Sequence, residues 1–118
     1  MNRLLAILAV CLSAFFALAV QAEVAVPALK ARVTDLTGSL PAQQLSDLNE
    51  QLAGFEASKG SQIAVLLLPS TQPESIEQFG IRLMDSWKIG RKGVDDGVIL
   101  IVATEDRRLR IEVGYGLE

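Results

Sequence analysis

An α/β domain built on a mixed sheet is the fold class this sequence predicts, and three observations predict it. Two short, unbroken apolar runs, Ile63–Leu68 and Val98–Val102, are bounded by proline, glycine and polar residues, as expected of strands covered on both faces. Each run follows a segment with apolar residues at helical spacing: Leu45, Leu48, Leu52 and Phe55 before the first, Ile76, Phe79, Leu83 and Trp87 before the second. Finally, Leu109, Ile111 and Val113 alternate with Arg110 and Glu112 after a short polar turn, which implies a third strand paired antiparallel with the second.

Taken in order, Glu23–Leu29 reads as an extended linker, over 23–30, in which Pro27 opposes helix. Val33–Gly38 is a short extended piece closed by a glycine turn. Ser39-Leu40-Pro41 opens the first helix, with Ser39 as the acceptor for free N–H groups, and Lys59-Gly60 closes it with a cation and a glycine stop. Pro69 ends the first buried strand. The second helix is expected over Glu74–Lys88, acidic at its start and basic at its end, with Trp87 packed in the core or at its rim. The strand over Gly97–Ala103 then completes a parallel crossover. In the last strand, Leu109, Ile111 and Val113 are expected to face the core. After Gly114-Tyr115-Gly116 another helix is wanted to cover the sheet.

The first residues are of a different kind. Met1-Asn2-Arg3 is a short positive start, Leu4 to Val20 an apolar run, and Val20-Gln21-Ala22 a small-residue exit. This pattern predicts a signal peptide over 1–22, cleaved after Ala22, and therefore export from the cytosol. The competing reading is an uncleaved anchor, since the run is near the minimum length for a bilayer span. Leu8-Ala9-Val10-Cys11 resembles a lipobox, but Val10 stands where a very small residue is expected.

Cleavage removes Arg3 and leaves ten basic side chains against 14 acidic ones. A mildly acidic domain without a basic stripe makes nucleic acid a poor partner. The chain has no histidine, and its single cysteine, Cys11, lies in the leader. A mature chain of this composition has no disulfide, no usual zinc ligand set and no Ser-His or Cys-His pair. Any metal site must be made of oxygen ligands, which points to calcium or magnesium.

The stretch Trp87–Val102 concentrates what chemistry there is. Three glycines, Gly90, Gly93 and Gly97, punctuate a loop that ends in Asp95-Asp96 before a buried strand. Two neighbouring carboxylates repel unless a cation or backbone N–H groups offset their charge. Asp-Gly is also a common turn dipeptide, so a solvated turn is the competing reading. No Gly-x-x-x-x-Gly-Lys-Ser/Thr spacing is present, which excludes a P-loop nucleotide site.

Four blocks, Val33–Leu40 (VTDLTGSL), Trp87–Gly90 (WKIG), Asp95–Val98 (DDGV) and Ile111–Glu118 (IEVGYGLE), resemble the TPM domain family in order and spacing. That family includes bacterial envelope proteins and photosystem II repair proteins of thylakoids. The resemblance, over about residues 31–118, implies a Rossmann-like α/β/α sandwich with a small, mostly parallel mixed sheet. It implies a place in the periplasm or on the outer face of a membrane, and a membrane protein or complex as partner. It further implies calcium held by loop carboxylates, with Asp95 and Asp96 as ligands and Asp35 as the third contributor. Glu112 is expected to pair with an arginine on the sheet instead. The relatives continue past the point matching Glu118 into further helix, often with a membrane tether, so the C-terminal part of the domain is expected to be missing here.

Two functions follow as expectations: a calcium-responsive binding and assembly module, or a weak metal-dependent acid phosphatase using Asp95 or Asp96 with Arg91 or Lys92 on the phosphate. Aspartyl phosphatases of the haloacid-dehalogenase type place the nucleophile after a buried strand, whereas Asp95 and Asp96 precede one. This counts against the second reading.

Overall fold

A computed structural model describes Arg3 and residues 22–118. The expected signal peptide therefore lies almost wholly outside the described residues. From Val33 onward the chain forms β1 (Val33–Asp35), α1 (Ala42–Lys59), β2 (Gln62–Leu68), α2 (Ile76–Trp87), β3 (Gly97–Ala103) and β4 (Arg108–Val113), ending in a 3-10 turn, Tyr115–Leu117. The strands lie in the order β1-β2-β3-β4. β1, β2 and β3 are parallel, and β4 returns antiparallel to β3. This is the mixed, mostly parallel sheet that the apolar runs and the short polar turn predict.

The core forms where α2 crosses the sheet. Ala64, Leu66 and Leu68 of β2 stand in register with Ile99, Ile101 and Ala103 of β3, so alternation puts all six on one face. Ile76, Phe79, Leu83 and Trp87 of α2 close over them in a single buried cluster, joined by Ile89. The start of α2 is fixed by a reciprocal cap. The Ser75 hydroxyl accepts from the Gln78 N–H, and the Gln78 side chain accepts from the Ser75 N–H. This capping box is readable as Ser75-Ile76-Glu77-Gln78, and it moves the helix start two residues beyond Glu74.

The extended segment before β1 is not a free linker. The Trp87 indole N–H donates to the Pro27 carbonyl at 2.8 Å, and Arg82 donates to the Val24 carbonyl at 2.9 Å. Val24 and Val26 pack against the α2 cluster. The indole thus buries its ring and still satisfies its single donor.

α1 packs on β1 and β2, whereas α2 packs on β3 and β4. No α1 residue belongs to the α2 cluster, and Val33, which alternation places on the opposite face with Val65, is buried. The helices therefore lie on opposite faces, in an α/β/α arrangement. Ser39 does not cap α1: its hydroxyl bonds that of Thr37, and Pro41 stands at the N-cap without a side-chain bond. The inward stripe of α1 is also turned from the expected one. Leu45, Asn49, Leu52 and Glu56 are half-buried, while Leu48 and Phe55 are exposed. Two polar bonds pull the helix this way: Asn49 Oδ1 accepts from the Val33 N–H, and Glu56 accepts from Arg32.

The expectation for β4 is corrected. Leu109, Ile111 and Val113 do not face the core; they are 62%, 56% and 37% exposed. Arg110 and Glu112 lie beneath α2 instead, paired with each other. Gly80 makes this possible, because a Cβ there would sit 2.6 Å from Glu112 Oε1. A side chain at that position would force the Glu112 carboxylate to shift. The residues over β3 and β4 on the far face, Leu100 and Val102 with Leu109 and Ile111, have no helix above them among the described residues.

Denaturant titrations distinguish the two faces. Phe79→Ala is expected to lose about 3–5 kcal/mol of stability, whereas Leu109→Ser should stay within about 0.5 kcal/mol of the parent.

Candidate functional site

The residues singled out from the sequence fall at two separate ends of the sheet. Asp35 ends β1 and stands level with Leu67, which pairs with Val102 near the end of β3. Asp96 precedes the first residue of β3. Six residue steps separate these levels, roughly 20 Å along the strands, with two strand spacings across them. The structure does not bring Asp35 together with Asp95 and Asp96.

Each of the two partly or fully buried acids is already satisfied. Asp35 Oδ2 accepts from the Leu40 N–H at 2.8 Å, and Oδ1 accepts from the N–H and hydroxyl of Thr37. These bonds fold the loop between β1 and α1, which is the turn-capping role of an aspartate. Burial pushes its carboxyl up, but the Thr37 hydroxyl and the Leu40, Thr37 and Gly38 N–H groups outweigh this and hold it below 3.8. Asp96 is 2% exposed. Its Oδ1 accepts from the Arg91 N–H and its Oδ2 from Arg91 Nε, both at 2.8 Å. The backbone N–H of Arg91 and then its guanidinium hold this carboxyl below 3.8 against the effect of burial.

Asp95 is different. Its φ of 54° is left-handed, a conformation aspartate adopts more readily than most residues. It is exposed, on a loop whose next residue turns inward, so the adjacent carboxylates do not share a pocket. Among the described residues no three acidic side chains converge as a metal would require.

The loop from Lys88 to Asp96 is held by backbone packing. The Gly90 N–H donates to Gln62 Oε1 at 2.9 Å, and Arg91 lies across Gly60, the left-handed C-cap of α1. A Cβ at Gly90 would stand 2.6 Å from the Gly97 nitrogen. The Gly114 N–H donates to Gly97 O, and the Gly116 N–H to Asp95 O. Side chains at Gly114 or Gly116 would run into the carbonyls of Asp95 and Val94. So Gly114-Tyr115-Gly116 is seated on Val94-Asp95-Asp96-Gly97, and two of the resembling blocks prove to be one interlocked unit.

Beside this unit lies a cleft of about 600 Å³, between the end of α2, the loop and the final turn. Met84 and Ile89 give it an apolar side, and Asp85, Lys88, Lys92 and Asp95 charges of both signs. Sequence reasoning missed Gln62 and the pairing of Arg91 with Asp96, because both bind across loops with no spacing signature. It also missed Asp106, which accepts from the Ser70 hydroxyl and the Thr71 N–H and ties the two loops at the other end of the sheet.

The sheet order, the glycine-seated loop and the four blocks find their match in a family model described as the TPM domain, which covers residues 33–118. The chain belongs to the TPM domain family. Its fold is similar to the solution NMR structure of the N-terminal domain of a protein from P. gingivalis, at 35% identity and a TM-score of 0.67. That likeness covers 77% of this chain and 59% of the other. The N-terminal domain of a protein from Corynebacterium glutamicum shares the fold at 23% identity and a TM-score of 0.62, covering 82% of this chain and 62% of that one. The TPM chain described here thus spans less than two thirds of each. No curated protein matches it.

Asp35 and Asp96 give the TPM domain a defined acid response. Their carboxyls are held below 3.8 in the folded protein, so each contributes stability that is present above that pH. The contribution is lost as pH falls through the lowered values. The melting temperature is expected to drop steeply below about pH 4, and Asp96→Asn should lower it at neutral pH and flatten the acid slope.

Proposed function

We propose that this TPM domain is an exported binding and assembly module, docking an amphipathic helix of a membrane protein or complex on the outer face of a membrane. The observation that carries this reading is the apolar far face of β3 and β4, which no helix among the described residues covers. Two adjacent strands present a face about 10 Å wide, which matches one helix. Asn49 and Glu56 turn one flank of α1 toward β1; Leu48 and Phe55 lie roughly 100° round the helix, on the flank toward β3. With Leu109 and Ile111 of β4 they are exposed apolar side chains. An apolar surface of this kind, rimmed by polar residues, marks an interaction site.

Calcium responsiveness was expected from Asp35, Asp95 and Asp96, but only Asp95 retains a carboxylate without a bond in the structure. Calcium takes six to eight oxygens. The described residues do not fit the ion, and no step of docking is assigned to it. Phosphomonoester hydrolysis draws no support from Asp96 either, because Arg91 engages it.

Two measurements test the proposal. Leu48→Glu with Phe55→Glu is expected to abolish capture of the partner from solubilised envelope membranes and of the same partner purified, with the melting temperature unchanged within about 2 °C. Equal capture by parent and variant sinks the assignment of the face. Millimolar calcium is expected to leave the melting temperatures of the parent and of Asp95→Asn alike; a rise seen only in the parent would restore the ion to this site.

A further inference from the structure

β4 ends the sheet, and its outer edge has no partner strand among the described residues. The ladder with β3 decides which backbone groups are free there. The Gly114 N–H donates to Gly97 O, and the register pairs Glu112 with Ile99 and Arg110 with Ile101. In an antiparallel ladder the residues at 108, 110, 112 and 114 therefore turn their N–H and C=O toward β3. Those of Leu109, Ile111 and Val113 point out of the sheet. The same three residues carry the exposed apolar side chains. A strand edge without proline, presenting both, is a template for another strand.

We propose that this edge pairs antiparallel with β4 of a second copy, about a two-fold axis at Ile111. Charge selects the register. Centred on Arg110, the pairing sets two arginines directly opposite; centred on Glu112, it opposes two glutamates. Like charges in those positions destabilise a sheet. Centred on Ile111, it sets Arg110 opposite Glu112 of the second copy, and the reverse. Ile111 then faces its own counterpart, and Leu109 faces Val113. The strand is self-complementary in charge and in apolar contact in this register alone of the three. The free backbone groups of residues 109, 111 and 113 also meet each other there. This contact shares Leu109 and Ile111 with the docking face but uses the strand edge and neither Leu48 nor Phe55, so its failure leaves the docking proposal, tested at Leu48 and Phe55, standing.

The test is a cysteine on the axis, in the full chain carrying Cys11→Ser so that the introduced thiol is its only one. In the proposed pair the Ile111→Cys positions are about 5.5 Å apart at Cα, within disulfide range. The Leu109→Cys positions are four residues apart along opposing strands, about 14 Å, beyond it. Mild oxidation is expected to give a covalent dimer of Ile111→Cys and none of Leu109→Cys. Sedimentation of the parent should show a concentration-dependent dimer that Ile111→Lys abolishes; this variant alters an exposed side chain, and its near-ultraviolet circular dichroism confirms the fold. The pairing is overturned by equal cross-linking at both positions, by a parent that stays monomeric to its solubility limit, or by Ile111→Lys dimerising as the parent does.

Discussion

Burial of a single carboxylate, that of Asp96, is the constraint on which the loop end of this domain depends. A buried charge is tolerated only when paired and hydrogen-bonded. Arg91 supplies both, through its backbone N–H and its guanidinium. Satisfying Asp96 closes the chain from Arg91 to Asp96 into a tight ring, which in turn sets Gly90 against Gly97 and leaves Asp95 at the surface in a left-handed conformation. The carbonyls of Val94 and Asp95 are then presented where Gly114 and Gly116 can seat on them. The order of dependence runs from one ion pair to a loop, and from the loop to the last turn.

The same logic explains why, among the described residues, the neighbouring acids do not converge on one pocket. Adjacent carboxylates in extended backbone alternate in direction, and here the left-handed residue between the loop and the strand sends them apart altogether. One is neutralised by a cation that the chain itself provides. The repulsion that a bound ion was expected to relieve has been relieved by Arg91. An acidic pair in a sequence is evidence of a cation nearby, and an arginine five residues away meets that need as well as calcium does.

Much of the fold was legible because period and punctuation agree. The two apolar runs became adjacent parallel strands, and the stripe Ile76, Phe79, Leu83, Trp87 became the buried side of α2. Alternation at Leu109–Val113 correctly located a strand with two unlike faces, yet it misassigned them. Periodicity records that faces differ; which one is covered depends on where a helix lands. Here α2 landed on the charged face because Gly80 leaves space for Glu112, a contact between positions 32 residues apart that no local pattern encodes. The site was less legible than the fold for the same reason. Asp35 and Asp96 each have a purely local partner set, but the distance between them is fixed by strand register, which appears only once the sheet is assembled.

That misassignment also has a physical consequence for the surface. With Arg110 and Glu112 turned under α2, the last strand presents its apolar side chains and its free backbone groups on one accessible rim. Natural sheets commonly protect such an edge with lysine, proline or a bulge. None of these interrupts Arg108–Val113. An edge left open is a template for pairing, and the alternation of arginine and glutamate makes the strand's own counterpart complementary in one register. The charges that fail to face solvent on one strand thereby become the device that sets the alignment of two.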